Sequence, residues 1–407
     1  MLLRLLLTPL HWLWHFVWQL YTMLSTWVLR VVLWPFTLFA LFVMLCNALS
    51  LFPLAWIPIG FRPPEWVYEL LCHWRLQWLL LGVLAWSLFG LAKYRIWFVL
   101  MSLLLVVQAF VIHQALSPLT YQDAPLDSIH IDHTDGSKTS TPMAEGGGTL
   151  HVLQANVFIH NFNPKAVLEH LSHTQADVVV LQEVDTQWRS RLLADALLRR
   201  RFPEWVYHDA SDVMILSRLP VLRSEVIELT LPGSQQPLDF WEHPMFVTLQ
   251  GRHATGKPLV WHILGIHPPV PFSMTYWQSQ QAYIAWVKQL RSSEGALMGF
   301  QRMTRLHVVP HEPLVVLGDF NTTPYSATFR RWQSETGLLP AMRFNEMCQH
   351  KMMWCVQPSW PSMLVLPWLQ IPIDHAFVSP QVRVLQRALQ PTMGSDHLPV
   401  LNRFQVR

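Results

Sequence analysis

Val315-Val316-Leu317-Gly318-Asp319-Phe320-Asn321 is the stretch on which the reading of this chain turns. Leu314 to Leu317 are apolar and half of them β-branched, which predicts a buried strand. Gly318 is expected to break it, leaving Asp319 and Asn321 to project from its end. Alone, the segment reads as an ordinary turn, since Gly, Asp and Asn are the commonest turn formers. Other polar strand ends change the weighing. Asn156 closes an alternating run from Leu150 to Phe158, and Glu183 closes Asp177 to Val184 (D-V-V-V-L-Q-E-V). His267 follows Leu259 to Ile266, Asp374 lies in I-P-I-D-H-A-F-V-S (371–379), and Asp396-His397 lies in G-S-D-H-L-P-V (394–400).

Each of these has a structural reading beside the functional one. A Glu after a strand is usually a solvated terminus, but Glu183 follows a nearly continuous apolar run that both faces of a sheet should cover, so it calls for a partner such as a cation. A lone His at a strand end is more often a hydrogen-bonded structural residue, and His262 and His375 are read that way. Helices are expected over Pro164 to His173, over Ser273 to Arg291 and from Ser326 onward; further strands are expected over Asp212 to Leu222 and Met245 to Leu249. Neither G-x-G-x-x-G nor G-x-x-x-x-G-K occurs, so nucleotide-fold fingerprints are absent.

The ordered set Asn156, Q-E-V (182–184), G-I-H-P (265–268), G-D-F-N (318–321), I-D-H-A-F (373–377) and G-S-D-H-L-P-V (394–400) resembles the endonuclease/exonuclease/phosphatase superfamily over residues 149–407. Any one of these motifs is weak; their order makes the resemblance specific. It implies a DNase I-like four-layer α/β/β/α sandwich, with the motif loops at one edge of the paired sheets and a divalent cation, Mg2+ or Mn2+, at the site. Phe158 departs from the pattern of some DNA-repair members, which carry an acidic residue there.

Hydrolysis of a phosphoester needs a cation against the phosphate charge, a base for water, and donors for the charge that builds on the non-bridging oxygens. Glu183 with Asn156 offers oxygen ligands suited to a hard cation, with Asp396 beside the same ion or a second one. His397 is a candidate base or phosphate contact, with Asp374 fixing its tautomer and raising its pKa. Asp319 would orient water, and Asn321 and His267 would bind phosphate oxygens. Asp212 is a candidate partner for His267. Whether Asp319 or His397 takes the proton stays open at this point.

The rest of the chain is of another kind. Of 407 residues 51% are hydrophobic and only 14% charged, and the excess is concentrated at the start. Residues 1–120 carry six basic and two acidic side chains; residues 121–407 carry 23 and 24, so no basic field marks them as a nucleic-acid surface. Uncharged stretches of 31, 17 and 27 residues (Val31 to Phe61, Leu76 to Ala92, Ile96 to Gln122) predict three membrane spans, the second only just long enough. A fourth run, Leu5 to Leu29, sets Thr8, His11, His15, Gln19, Thr22 and Thr26 along one helical face; it reads equally as an interfacial helix or a span.

Residues 1–116 are therefore expected to form a membrane region and 117–148 a polar tether, with His130, Asp132 and His133 solvated. Residues 149–407 are expected to form the catalytic domain. Lys93-Tyr94-Arg95 should stay cytoplasmic, which places that domain outside the cytoplasm, by expectation on the periplasmic face of a bacterial inner membrane. There Cys348 and Cys355 could pair or stay reduced. Arg199-Arg200-Arg201 reads as a helix end rather than a phosphate contact. The apolar segment from Met352 to Ile373, with Trp354, Trp360 and Trp368, reads as core packing or as a lip resting on a bilayer. The expected activity is a membrane-anchored phosphoesterase acting on a lipid headgroup or other small phosphoester. The alternatives are an extracytoplasmic nuclease and an inactive binding module on the same fold. Oligomeric state is not legible.

Overall fold

A computed structural model describes residues 2–51, 63–116, 148–231, 237–238, 243–252, 256–291, 312–341, 357–363, 366 and 369–406. The expected tether with its histidines, Cys348, Cys355, Trp354 and Trp368 lie outside these residues. The chain forms two compact units, one of Met1–Arg62 with Trp74–His113 and one of Pro63–His73 with Gln114–Arg407.

In the second unit the strands are β1 (Thr149–Asn156), β2 (Val178–Gln182), β3 (Glu204–Val206), β4 (Met214–Ser217), β5 (Val221–Val226), β6 (Met245–Arg252), β7 (Pro258–Ile266), β8 (Leu314–Asp319), β9 (Leu339–Pro340), β10 (Asp374–Val378), β11 (Val382–Leu389) and β12 (Val400–Val406). They pair as two six-stranded mixed sheets, ordered β11-β12-β1-β2-β4-β3 and β5-β6-β7-β8-β10-β9. The period of two in each strand makes two apolar faces. Leu150, Val152, Val178, Val180, Ile263, Val315, Leu317, Ala376 and Val378 fill the space between the sheets. The alternate residues of the first sheet, Leu153, Ala155, Val179 and Leu181, pack with Val167, Trp188 and Leu198. These come from α5 (Pro164–His173), α6 (Thr186–Ala194) and α7 (Ala196–Arg201). On the second sheet Leu264, Val316 and Phe377 pack with Tyr283, Trp286, Phe329 and Trp332 of α8 (Met274–Arg291) and α9 (Ala327–Thr336). The architecture is the expected four-layer α/β/β/α sandwich.

Two expectations are corrected. Asp212 to Leu222 is not one strand: β4 and β5 belong to different sheets, and the Arg218-Leu219-Pro220 turn carries the chain between them. Gly318 does not break its strand either. β8 runs through it to Asp319, and the glycine is needed because a Cβ there would lie 1.9 Å from the Ile266 carbonyl oxygen, with φ at +157°. The neighbouring strand has a similar requirement at Gly265, where a Cβ would lie 2.7 Å from Val213 and 2.9 Å from Val180 of the opposite sheet.

The first unit holds α1 (Leu2–Leu51), α3 (Arg75–Leu91) and α4 (Arg95–Leu116); α2 (Glu65–His73) falls in the second. The two N-terminal apolar runs, expected as separate elements, form one 50-residue helix. Among the described residues, two helical segments are long and apolar enough to cross a membrane, Trp34–Leu51 and Arg95–Ala115. Helix α3, with 17 residues, spans about 25 Å, short of a hydrocarbon core of about 30 Å. The packing is inverted relative to a water-soluble bundle. Asn47, Ser50, Arg75 and Gln108 are buried, whereas Phe42, Leu84, Leu103, Val106 and Phe110 are exposed. Asn47 donates to the Trp78 carbonyl at 2.9 Å and Gln108 to the Arg75 carbonyl at 3.2 Å, as polar groups do between helices that face lipid.

Gly318→Ala is expected to destabilise the second unit by about 3 kcal/mol, from backbone overlap and strain together. Urea unfolding of the full chain in detergent checks this, and an unchanged midpoint would contradict it.

Candidate active site

The site is where the inward-facing rows of both sheets run out of apolar residues. In β1 the row Leu150, Val152 continues to Gln154 and Asn156. In β8 the row Val315, Leu317 ends at Asp319, and in β10 Val378 and Ala376 lead to Asp374. In β7 the row Trp261, Ile263, Gly265 passes into His267 just beyond the strand. Polar side chains thus gather at one edge of the sandwich because each strand keeps its period of two to its last residue.

Asp319 is at the centre. Its Oδ2 lies 3.2 Å from Asn156 Nδ2, 3.5 Å from His397 Nε2 and 3.7 Å from His267 Nε2. Each imidazole is held from behind by a carboxylate. His397 Nδ1 lies 2.9 Å from Asp374 Oδ2, and His267 Nδ1 hydrogen-bonds Asp212 Oδ2. The carboxylate partner fixes which ring nitrogen carries the hydrogen and turns each Nε2 toward Asp319. Asp374 is itself fixed by Gln154, whose Nε2 donates to Oδ1 at 2.6 Å.

Glu183 stands next to this group with φ at +59°, directly after β2. Its Oε1 accepts from Asn156 Nδ2 at 2.8 Å and its Oε2 from the Ile159 amide at 2.7 Å; its own amide donates to Asp212 Oδ2 at 3.2 Å. Phe158 at +60° and Asn321 at +47° share the left-handed conformation, so three of the four such non-glycine residues among the described residues flank this site. Each costs of order 1–3 kcal/mol, which the packing around the site must offset.

The sequence-predicted residues meet here with two qualifications. Asn321 Nδ2 donates to the Pro268 carbonyl at 3.0 Å, so one of its two amide hydrogens ties the His267 loop to the β8 loop. Asp396 accepts from the Trp360 indole at 3.0 Å through Oδ2, while its Oδ1 is buried with no hydrogen-bond partner among the described residues. Gln154 belongs to no motif of the sequence, although its place two residues before Asn156 puts it on the same face. Arg387, whose guanidinium donates to the Asp374 carbonyl at 2.6 Å, and Ser359, whose hydroxyl accepts from the Asp374 amide at 3.3 Å, carry no sequence signal. His375 and His262 are structural, as expected: His375 Nε2 bonds the Thr322 carbonyl at 2.8 Å, and burial pulls its pKa down to about 3. His262 lies between Thr248 at 3.1 Å and Glu312 at 2.7 Å.

The charges do not balance within the protein alone. Burial pushes the Asp319 pKa up to about 6, with Asp374 adding to the rise, and the imidazoles of His397 and His267 only partly oppose it. For His397 burial acts downward, but the carboxylates of Asp374 and Asp319 outweigh it and hold the imidazolium up to about 9. A divalent cation fits this excess of buried carboxylate. Asp319, Asp374 and His397 offer ligand atoms all within 4.8 Å of one another. Asp374 and Glu183 each already accept one hydrogen bond per oxygen, but Asp374 is 1% exposed and paired with an imidazole held protonated, whereas Glu183 is only half-buried, so the better oxygen donors are Glu183 and Asn156, after a turn of its amide. When bound, such a cation would neutralise phosphate charge and lower the pKa of water.

The family model of the endonuclease/exonuclease/phosphatase family matches residues 153–397. The chain belongs to that family. Solved structures similar to it include the human Nocturnin catalytic domain (17% identity, TM-score 0.45, covering 64% of this chain and 94% of that one). Sphingomyelinase C from Streptomyces griseocarneus is similar at 16% identity and TM-score 0.42, over 63% of this chain and 99% of that one. A family protein from Bacteroides vulgatus is similar at 17% identity and TM-score 0.44, over 64% and 99%. No curated protein sequence matches the chain.

In cation-free protein the His397 imidazole is expected to stay protonated through neutral pH and to titrate near 9, against about 6.5 for an unperturbed histidine. The stabilisation from this raised pKa is fully present below about 6.5 and lost as pH rises through about 9. Histidine-selective NMR in EDTA checks it, with Asp374→Asn expected to lower the value. Titration at or below 6.5 in the parent protein would contradict the arrangement.

Proposed function

We propose that this protein is a membrane-anchored, divalent-cation-dependent phosphoesterase that cuts a lipid headgroup or another small phosphoester at a bilayer surface. The observation that carries the reading is the convergence of two carboxylate-backed imidazoles and the Asn156 amide on Asp319, beside Glu183. In this proposal Glu183 and Asn156 hold Mg2+ or Mn2+, with Asp396 next to them. Asp319 orients the attacking water and takes its proton, because a buried carboxyl near 6 accepts at neutral pH where an imidazolium near 9 does not. His397, kept charged by Asp374, donates to a non-bridging oxygen, together with His267 and Asn321. The water oxygen bonds to phosphorus as the ester P–O bond breaks; the leaving oxygen takes a proton from solvent, and Asp319 returns the proton it took to solvent.

Three features favour a substrate at the membrane. Apolar side chains stand out from loops of the catalytic unit: Phe162 is 97% exposed after β1, Phe272 63% after β7, and Met363 71% before β10. Such side chains fit an apolar boundary better than a phosphate backbone. The catalytic residues lie on the same chain as the apolar helices, only 33 positions after α4. The balance of 23 basic against 24 acidic residues after position 120 gives long nucleic acid little to hold. The proposed location is a bacterial inner membrane with the catalytic unit on the extracytoplasmic side and Lys93-Tyr94-Arg95 inside.

The test is a parallel assay of the full chain on phospholipid vesicles, single- and double-stranded DNA, and RNA across a salt series. Cation-dependent release of phosphorylated headgroup is expected, abolished by EDTA and reduced by roughly 10²-fold or more in Glu183→Ala and His397→Ala. DNA cleavage that falls steeply with salt while vesicles stay intact would install the nuclease reading. Absence of any hydrolysis would install the binding-module reading.

A further inference from the structure

Helix α2 (Glu65–His73) lies in the sequence between α1 and α3 of the apolar region, yet it packs in the catalytic unit, against α8 and α9. Its buried face is Tyr68, Glu69, Cys72 and His73. Glu69 is only 1% exposed, an unusual setting for a carboxylate, and its partners explain it. Oε1 accepts the Thr328 amide at 3.0 Å, in the first turn of α9, and the Thr322 hydroxyl at 3.4 Å, with His73 Nε2 3.5 Å away. A carboxylate against an open helix N-terminus is favourable both as hydrogen-bond acceptor and as charge. Burial alone would raise the Glu69 pKa, but His73, Ser326 and Thr328 outweigh it and hold it below the ordinary carboxylate range.

We infer that α2 is a working part of the catalytic unit and that Glu69 is a positioning residue for the active-site loop. Thr322 follows Asn321 directly. Its hydroxyl is shared among Glu69, His73 Nε2 at 3.3 Å and Ser326 at 2.6 Å, and its carbonyl accepts from His375, the neighbour of Asp374 in β10. Glu69 thus closes a chain of hydrogen bonds that fixes the turn from Asp319 to α9 against the strand bearing Asp374. Asp319 and Asp374 are both reached through it.

The experiment uses the full chain in lipid nanodiscs and rests on the phosphoesterase reading for one of its readouts only. Glu69→Ala is expected to lower kcat roughly 10- to 100-fold with KM changed by no more than about threefold, since the loop that orients reacting groups shifts while the substrate surface stays. Glu69→Gln, whose amide oxygen can still accept from Thr328 and Thr322, should recover most of the loss. Thr322→Val should behave like Glu69→Ala, and Thr322→Ser like the parent. Amide hydrogen exchange over residues 321–329 should accelerate in Glu69→Ala and Thr322→Val, which tests the clamp even if no substrate is turned over by the parent. Parental kcat and parental exchange in either variant would overturn the inference.

Discussion

Asp319 carries a charge that the interior of this protein resists, and the arrangement around it follows from that cost. A carboxylate at the end of a buried row, 1% exposed, keeps its ionised form only if donors or cations surround it. Here three side chains from three different elements, Asn156, His267 and His397, point hydrogen-bonding nitrogens at one of its oxygens. Each needs its own support: Glu183 for Asn156, Asp212 for His267, and Asp374 with Gln154 for His397. The result is a network with more carboxylates than fixed cations, which is the electrostatic condition a divalent ion and a phosphate would satisfy together.

The sandwich supplies this network through simple geometry. Two sheets facing each other give inward rows with a period of two, and where the rows reach the sheet edge the identity of a single residue switches from apolar to polar. Gly318 lets the β7 and β8 backbones approach at that edge, and Gly265 lets the two sheets approach there; a side chain at the first would push apart the neighbouring strands, and one at the second would meet Val213 and Val180. The left-handed conformations of Phe158, Glu183 and Asn321 aim the loops after β1, β2 and β8 back over the site. Backbone strain is concentrated around the polar cluster, and the apolar layer beneath offsets it.

Much of this is legible in the sequence, for physical reasons. Strand-end polar residues following long apolar runs, such as Asp319 after L-V-V-L-G and Glu183 after V-V-V-L-Q, advertise both burial and function. The motif order then carries the fold. The supporting contacts are less visible: Gln154 sits within an alternating run, and Arg387 and Ser359 act through distant backbone contacts that no local pattern encodes. Gly318 reads as a strand breaker because sequence shows a glycine's freedom and not the neighbouring Ile266 carbonyl that demands it. The place of α2 is hidden for a different reason. Nine residues with Glu65 and Glu69 between apolar runs look like a loop of the membrane region, and the partners of Glu69, the Thr322 hydroxyl and the Thr328 amide, lie 253 and 259 positions away in the chain.

In the proposed mechanism a divalent cation sits beside Glu183 and Asn156, facing Asp319, and not within the His397 and Asp374 pair. Anomalous scattering from crystals of the full chain grown with Mn2+ tests this most directly. The account predicts a peak within bonding distance of a Glu183 oxygen, lost in Glu183→Ala crystals. A peak held by Asp374 and His397 with Glu183 uninvolved, or no peak at saturating Mn2+, would contradict it.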